Sequence, residues 1–274
     1  MDMANYAADC QRVAKGFGVS PEIHEEDFIF HFMVEHPNIG PKGRAAEEYF
    51  NNGLDSARKL QRLLTEICGY QNKPVDLLEF ASGYGCVSRH IPSTIPLCNL
   101  TACDIHEQAT SFLKDKLDIN VVLSSSIPED LHIGNKYDVV FALSFFSHMP
   151  KTSFSRWIQR LASFVKPGGF LIFTTHGMVS RKVCFGDCLL DGDGFYFHPS
   201  SEQKDLSKSE YGNAVAASKY VFSLVDNSPM LSLKLFHEGY WWGHQDLYVV
   251  KVSAVQEESV NNISLLERIK SFIK

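Results

Sequence analysis

The sequence predicts an α/β protein. Its core is a doubly wound, mostly parallel seven-stranded sheet with one antiparallel strand, preceded by a helical extension and interrupted by a lid insertion. Three observations carry that expectation. From residue 75 to about 175, short apolar runs alternate with helical stretches, a rhythm that builds right-handed βαβ units. The last two apolar runs, 231–237 and 246–252, are joined by a Gly-containing link around 239–245 that is too short for a crossover helix, so these strands must be antiparallel. Between the two regions, residues 177–220 break the rhythm with Gly, Asp, Ser and aromatic residues, the composition of a lid or binding loop.

Residues 1–70 read as a helical extension. Over 45–67 the apolar positions Ala46, Tyr49, Phe50, Leu54, Ala57, Leu60, Leu64 and Ile67 recur near every 3.6 residues, with Arg58 and Lys59 expected in solvent. Strands are expected at 75–80, 97–103, 119–123, 138–143 and 170–175. The run at 138–143 is almost continuously apolar, as a strand covered on both faces should be. Helices are expected from about residue 84, over 106–117 and over 151–165, the last stopped by Pro167-Gly168-Gly169. Residues 71–254 therefore form the main domain, with the lid at about 177–220. A final helix over 255–274 carries Leu265, Leu266, Ile269, Phe272 and Ile273 on one face, which would dock on the body or on the mate of a homodimer.

Composition excludes several classes. The 26 basic and 32 acidic side chains give a formal charge of −6, unlike a nucleic-acid binder that relies on a basic surface. Seven cysteines without a C-x-x-C pair read as small apolar fillers. The uncharged run 139–150 is too short to span a bilayer, and a reduced, soluble, cytoplasmic protein is expected.

The sharpest local signal is LLEFASGYG at 77–85, an acid at Glu79 near a strand end followed by Gly83 and Gly85 in the turn. Ligands of open α/β sheets sit beyond the carboxyl ends of the strands, and Asp104 ends the next strand where a carboxylate can accept both hydroxyls of a ribose. Two nucleoside cofactors fit. A dinucleotide brings a pyrophosphate, which Glu79 would oppose; S-adenosylmethionine brings an ammonium and a sulfonium, which an acid suits.

With these residues in hand, the chain resembles the class I S-adenosylmethionine-dependent methyltransferases, a Rossmann-like family. The resemblance covers about 49–252 and rests on E-x-x-x-G-x-G at 79–85, Asp104, Ser124-Ser125-Ser126, YDVVFALSFFSHMP at 137–150, KPGG at 166–169 and the terminal strand pair. It implies S-adenosylmethionine as cofactor, with Glu79, Ala81, Gly83 and Gly85 at the methionine and ribose end. Asp104 would hold the ribose, Ile105 would pack on adenine, and Ser125 with Ser126 would bound the base. Leu143 and Ser144 would flank the sulfonium. Ala81 departs from the family, which usually has glycine there, and Ser125 stands where many members have an acid.

For the acceptor side, His148, His176 and His244 follow different strands but should face one cleft, because parallel strands open on the same edge. Histidine titrates in the right range to take a proton from an acceptor hydroxyl, and His148 ranks first. The expected reaction is methyl transfer to a hydroxyl oxygen of a small-molecule or glycan acceptor. SEQKDL at 201–206, YG at 211–212 and GHQD at 243–246 look similar to methyltransferases of polysaccharide and secondary-metabolite pathways. Alternatives are N-methylation of a small amine, a nicotinamide-dependent oxidoreductase, or a non-catalytic cofactor-binding module. Tyr240, Trp241 and Trp242 suit either a planar acceptor or hydrophobic filling. Asp187, Asp191 and Asp193 read as turn residues, and no metal is expected.

Overall fold

The computed structural model describes residues 4–200 and 206–253. The helix expected over 255–274 lies outside the described residues. Seven strands form one sheet in the order β3-β2-β1-β4-β5-β9-β8: β1 (Val75–Phe80), β2 (Cys98–Asp104), β3 (Asn120–Leu123), β4 (Tyr137–Ala142), β5 (Val165–His176), β8 (Leu231–Trp241) and β9 (Gln245–Val252). Pairings among β1 to β5 are parallel, and β9 runs antiparallel to both its neighbours. The expected architecture stands, including its single reversed strand.

The period-2 alternation of the strands divides the core into two layers. Leu78, Val140, Leu171, Phe173 and Tyr248 face one side, where they meet Phe154, Trp157 and Leu161 of α6 (Lys151–Ser163). Leu77, Val139, Ile172 and Val249 face the other side, against Leu60 and Leu64 of α3 (Ala45–Glu66) and Leu113 of α5 (Glu107–Leu117). The apolar stripe of α3 is buried as its spacing predicts. Lys59, however, is not fully in solvent: its ammonium lies 5.7 Å from the Tyr240 ring centroid and 5.6 Å from that of Trp241. Ahead of α3, the extension adds α1 (Ala4–Phe17) and α2 (Phe28–Glu35). Asp27 caps α2 by accepting from Ile29 and Phe30, and Tyr49 donates to its other oxygen at 2.6 Å.

Three expectations on local structure change. The helix expected from residue 84 begins only as a tight turn at Ser88–His90 followed by α4 (Ile91–Thr94), because Gly83 (φ 55°) and Gly85 (φ 81°) hold the preceding turn in the left-handed region. Pro167-Gly168-Gly169 does not separate α6 from the fifth strand but lies inside β5. The register jumps there from Tyr137↔Val165 to Val139↔Phe170, a bulge that Gly168 accommodates at φ 89°. The insertion is not irregular either. It contains α7 (Met178–Cys184), a hairpin of β6 (Phe195–His198) with β7 (Asn213–Ala216), and α8 (Ser218–Asp226). Phe195, Ala214, Ala216, Tyr220 and Val221 are buried in the core, so this segment is anchored to the sheet.

Three residues, 242–244, join β8 to β9; Trp242 and Gly243 both take positive φ and His244 N–H donates to Trp241 O, closing a tight turn. No described helix is long and apolar enough to cross a membrane.

Candidate active site

All expected site residues cluster at the carboxyl edge of the sheet, in two groups. The first surrounds the turn after β1. Gly83 N–H donates to Asp104 Oδ2 at 2.8 Å, which ties the tip of β1 to the tip of β2. The other Asp104 oxygen accepts from the backbone and ring nitrogens of His106 at 3.0 and 2.9 Å. A carboxylate has about four acceptor positions, so Asp104 keeps capacity for further donors. Glu79 is 3% exposed and accepts from Ser88 at 2.6 Å. Burial, reinforced by Asp104, pushes its carboxyl up to about 7. Ala81, at the position where the resembled family has glycine, adopts φ 57° all the same. A Cβ at Gly83 would meet nothing, whereas one at Gly85 would lie 2.7 Å from Leu113 and Leu117 of α5. Gly83 is therefore open toward the cleft, and Gly85 makes the close approach to α5.

Ile105 is half-buried just past β2. Ser125 and Ser126 lie on the turn after β3, where the Ser125 hydroxyl accepts from Ile127 N–H at 3.1 Å. Leu143 and Ser144 directly follow β4.

Arg89, which no pattern in the sequence marks, organises this group. It is 6% exposed and donates to Gly85 O, Tyr84 O, Ser20 O, Glu22 O and Tyr49 Oη at 2.8–3.3 Å. These bonds hold the segment before α2 beside the glycine turn. There His24 stacks on Tyr84 at 4.5 Å and Phe28 lies 5.8 Å from His106. The helical extension thus forms a wall of the cleft.

The second group contains the three histidines, which the fold brings together. Ring centroids are 6.3 Å apart for His148 and His176, and 5.8 Å apart for His176 and His244. His148 Nδ1 lies 2.8 Å from Gly212 O; a carbonyl only accepts, so Nδ1 carries the hydrogen and Nε2 is the proton-accepting nitrogen of the neutral ring. Its ring stacks on Tyr211 at 4.6 Å. His176 Nδ1 donates likewise to Ala214 O at 3.2 Å. The insertion therefore sets two imidazoles with carbonyls two residues apart. Ser180 donates to His244 O at 2.7 Å and accepts from His244 Nδ1 at 3.0 Å. Burial beside the other two imidazoles pushes His176 down to about 3, and burial lowers His244.

Trp241 is not at the rim: it is fully buried and donates to Ser56 at 3.0 Å, whereas Trp242 is exposed beside His244. Asp191 and Asp193 hold Lys151, and Asp191 also accepts two backbone N–H groups of its own turn. Asp187 pairs with Arg181 at 3.3 Å.

The comparisons agree with this geometry. Residues 78–171 match a family described as a methyltransferase domain. A malonyl-[acyl-carrier protein] O-methyltransferase of Ilyobacter polytropus is 29% identical over 113 residues, covering 37% of this chain and 39% of that protein. Another, from Calditerrivibrio nitroreducens, is 26% identical over 149 residues, covering 51% and 54%. The chain thus spans about half or less of the length of these curated relatives. Among solved structures, the N-methyltransferase NodS of Bradyrhizobium japonicum, in complex with S-adenosylhomocysteine, is 12% identical; 91% of this chain and 100% of that one superpose with a TM-score of 0.50. The chain has the fold of the class I S-adenosylmethionine-dependent methyltransferases. Within that fold, residues 78–171 are the part that matches the methyltransferase-domain family.

Proposed function

We propose that this chain is an enzyme that transfers a methyl group from S-adenosylmethionine to an oxygen of a small-molecule or glycan acceptor. The carrying observation is that the Asp104–Gly83 bond and the histidine cluster occupy the same sheet edge, so a nucleoside site adjoins a proton-accepting one. The residues suit this cofactor: Gly83 has no side chain to fill the cleft, Asp104 retains acceptor capacity for ribose hydroxyls, and Glu79 is a buried acid near a cationic ligand's place. When bound, S-adenosylmethionine supplies an electrophilic methyl group on a sulfonium. Glu79, Ala81, Gly83 and Gly85 line its methionine and ribose end, Ile105, Ser125 and Ser126 bound the base, and Leu143 with Ser144 form the floor beside the reacting centre. His148 takes the acceptor's proton at Nε2, its ring held by Gly212 O and Tyr211.

The names of the curated relatives support an oxygen acceptor. They also favour a second reading, an acyl-carrier-linked carboxylate. Against it, Arg181 on α7 is committed to Asp187 and Cys188 and is not poised to hold an anion. Product lability separates the two: mild alkali releases methanol from a methyl ester and leaves a methyl ether intact.

Calorimetric titration with S-adenosylhomocysteine tests the cofactor. Micromolar binding is expected, weakened at least about 10-fold, or ~1.4 kcal/mol, by Asp104→Ala. Absence of binding by the native chain would refute the proposal.

A further inference from the structure

Ser144, the second residue past β4, has φ 59°, a conformation that costs an L side chain about 1–2 kcal/mol and persists only where its surroundings impose it. Two residues far away in sequence impose it. Ser144 N–H donates to Thr174 Oγ1 at 2.8 Å, Thr174 donates to Gln245 Oε1 at 2.7 Å, and Gln245 Nε2 donates to Ser144 Oγ at 2.8 Å. The ring joins the end of β4 to β5 and β9. Thr174 is fully buried and Gln245 is 2% exposed.

Two unambiguous groups fix the orientation of the Gln245 amide: the Ser144 backbone N–H, which can only donate, and the Ala214 carbonyl, which can only accept. Thr174 Oγ1 accepts from Ser144 N–H and directs its own hydrogen to Gln245, the orientation that also turns the Gln245 nitrogen toward His176 Nε2, an acceptor because the Ala214 carbonyl takes the hydrogen of Nδ1. Gln245 therefore turns its oxygen to Thr174 and its nitrogen to the opposite side. That nitrogen lies 2.8 Å from Ser144 Oγ and 3.4 Å from His176 Nε2. A carboxamide nitrogen has no lone pair to offer, so His176 Nε2 must be the acceptor. Its hydrogen then sits on Nδ1, where Ala214 O receives it.

We propose that Gln245 is a positioning residue: its carboxamide locks Ser144 at the tip of β4 and holds His176 as the Nδ1–H tautomer, so that His176 is a neutral wall of the cleft and leaves proton acceptance to His148. The proton positions stand on the hydrogen-bond geometry alone; the role as a wall rests on the methyl-transfer reading. Among the described residues, the groups facing His176 are the His148 and His244 rings, the Phe185 ring at 5.0 Å, the Gln245 amide and the Ala214 carbonyl. Its strongly lowered pKa, set by burial and the two imidazoles, agrees with a ring that stays neutral.

Long-range proton–nitrogen NMR on the 15N-labelled full chain tests this without any acceptor. His176 is expected as the Nδ1–H tautomer, with no titration over roughly pH 5–8. Gln245→Glu places an acceptor where the amide donor stood, so His176 should gain a hydrogen on Nε2 and its midpoint should rise by about 1–3 units. Thr174→Val is a milder second variant: it removes the hydroxyl that orients Gln245 and should yield both tautomers. A native Nε2–H tautomer, a native midpoint near the ordinary 6.5, or a His176 unmoved by both variants would overturn the proposal. S-adenosylhomocysteine titration on the same samples keeps the two ideas apart. Native binding with the wrong tautomer sinks only the role of Gln245; the right tautomer without binding sinks methyl transfer and, with it, the role as a wall.

Discussion

The two ends of the cleft are built in opposite ways. At the end proposed for the cofactor, Glu79, Ala81, Gly83 and Gly85 lie within seven residues, and Asp104 reaches Gly83 across one βα unit. At the end proposed for the acceptor, Ser144 follows β4 while Thr174 and His176 come from β5 and Gln245 from β9, with 101 residues separating Ser144 from Gln245, and the insertion adds the carbonyls of Gly212 and Ala214. Each end is also walled by a segment outside the sheet, the helical extension at one and the β6–β7 hairpin at the other. A local site can be carried by a short motif; an assembled site exists only once the strands have paired.

The largest expected effect breaks the wall at the cofactor end. Arg89→Ala removes a buried guanidinium from five oxygens, leaving Ser20 O, Glu22 O and Tyr84 O without that donor. A loss on the order of 3 kcal/mol or more is expected in urea unfolding. His176 should keep its NMR signature in the variant that still folds, because the acceptor end is held by other bonds. A loss below about 1 kcal/mol would show that the His24–Tyr84 stack, and not Arg89, holds the extension.

The next effect is a difference in sign with pH. Glu79 is raised in the folded state from 4.5 to about 7, so its contribution to stability is full below 4.5 and is lost as pH rises through about 7. His176 is lowered from 6.5 to about 3, so its contribution is full above 6.5 and is lost as pH falls toward 3. Between 4.5 and 6.5 the two ends oppose each other. Glu79→Gln should therefore make stability climb more steeply with pH across that window, by up to about 1.4 kcal/mol per pH unit. His176→Phe should do the reverse. Denaturant midpoints measured across the window decide it; parallel curves for native and Glu79→Gln proteins would mean that Glu79 titrates alike in both states.

The same contrast explains what was legible in the sequence. Strand alternation, the stripe of α3, the glycine turn, Asp104 and the convergence of the three histidines all follow from short-range pattern plus the rule that parallel strands open on one edge. Arg89 was not legible, because an arginine in a short helical stretch reads as solvated until the extension folds over it. Thr174 looked like the end of an apolar strand, and Gln245 was visible only as one letter of GHQD; their ring depends on β9 lying beside β5. Pro167-Gly168-Gly169 reads as a stop in one dimension, but pairing with β4 absorbs it as a bulge. The hairpin of the insertion was hidden by its separation, since 14 residues divide β6 from β7.

The smallest effect sharpens the comparison most, because two non-glycine residues share one backbone conformation. Ala81 has φ 57° and Ser144 has φ 59°. Glycine relieves about 1–2 kcal/mol of left-handed cost at either position and returns about 0.5–1 kcal/mol to the unfolded chain. At Ala81 little else changes, since its methyl is half-buried, and Ala81→Gly should stabilise by about 0.5 kcal/mol. At Ser144 the substitution also removes the oxygen that accepts from Gln245, leaving a buried amide donor short of a partner at about 1–3 kcal/mol. Ser144→Gly should therefore destabilise, by about 1 kcal/mol, despite the same relief of strain. Opposite signs in paired thermal unfolding experiments would show that the left-handed residue at the cofactor end is tolerated strain, while the one at the acceptor end is held by the ring. Equal signs would mean that Gln245 does not hold Ser144.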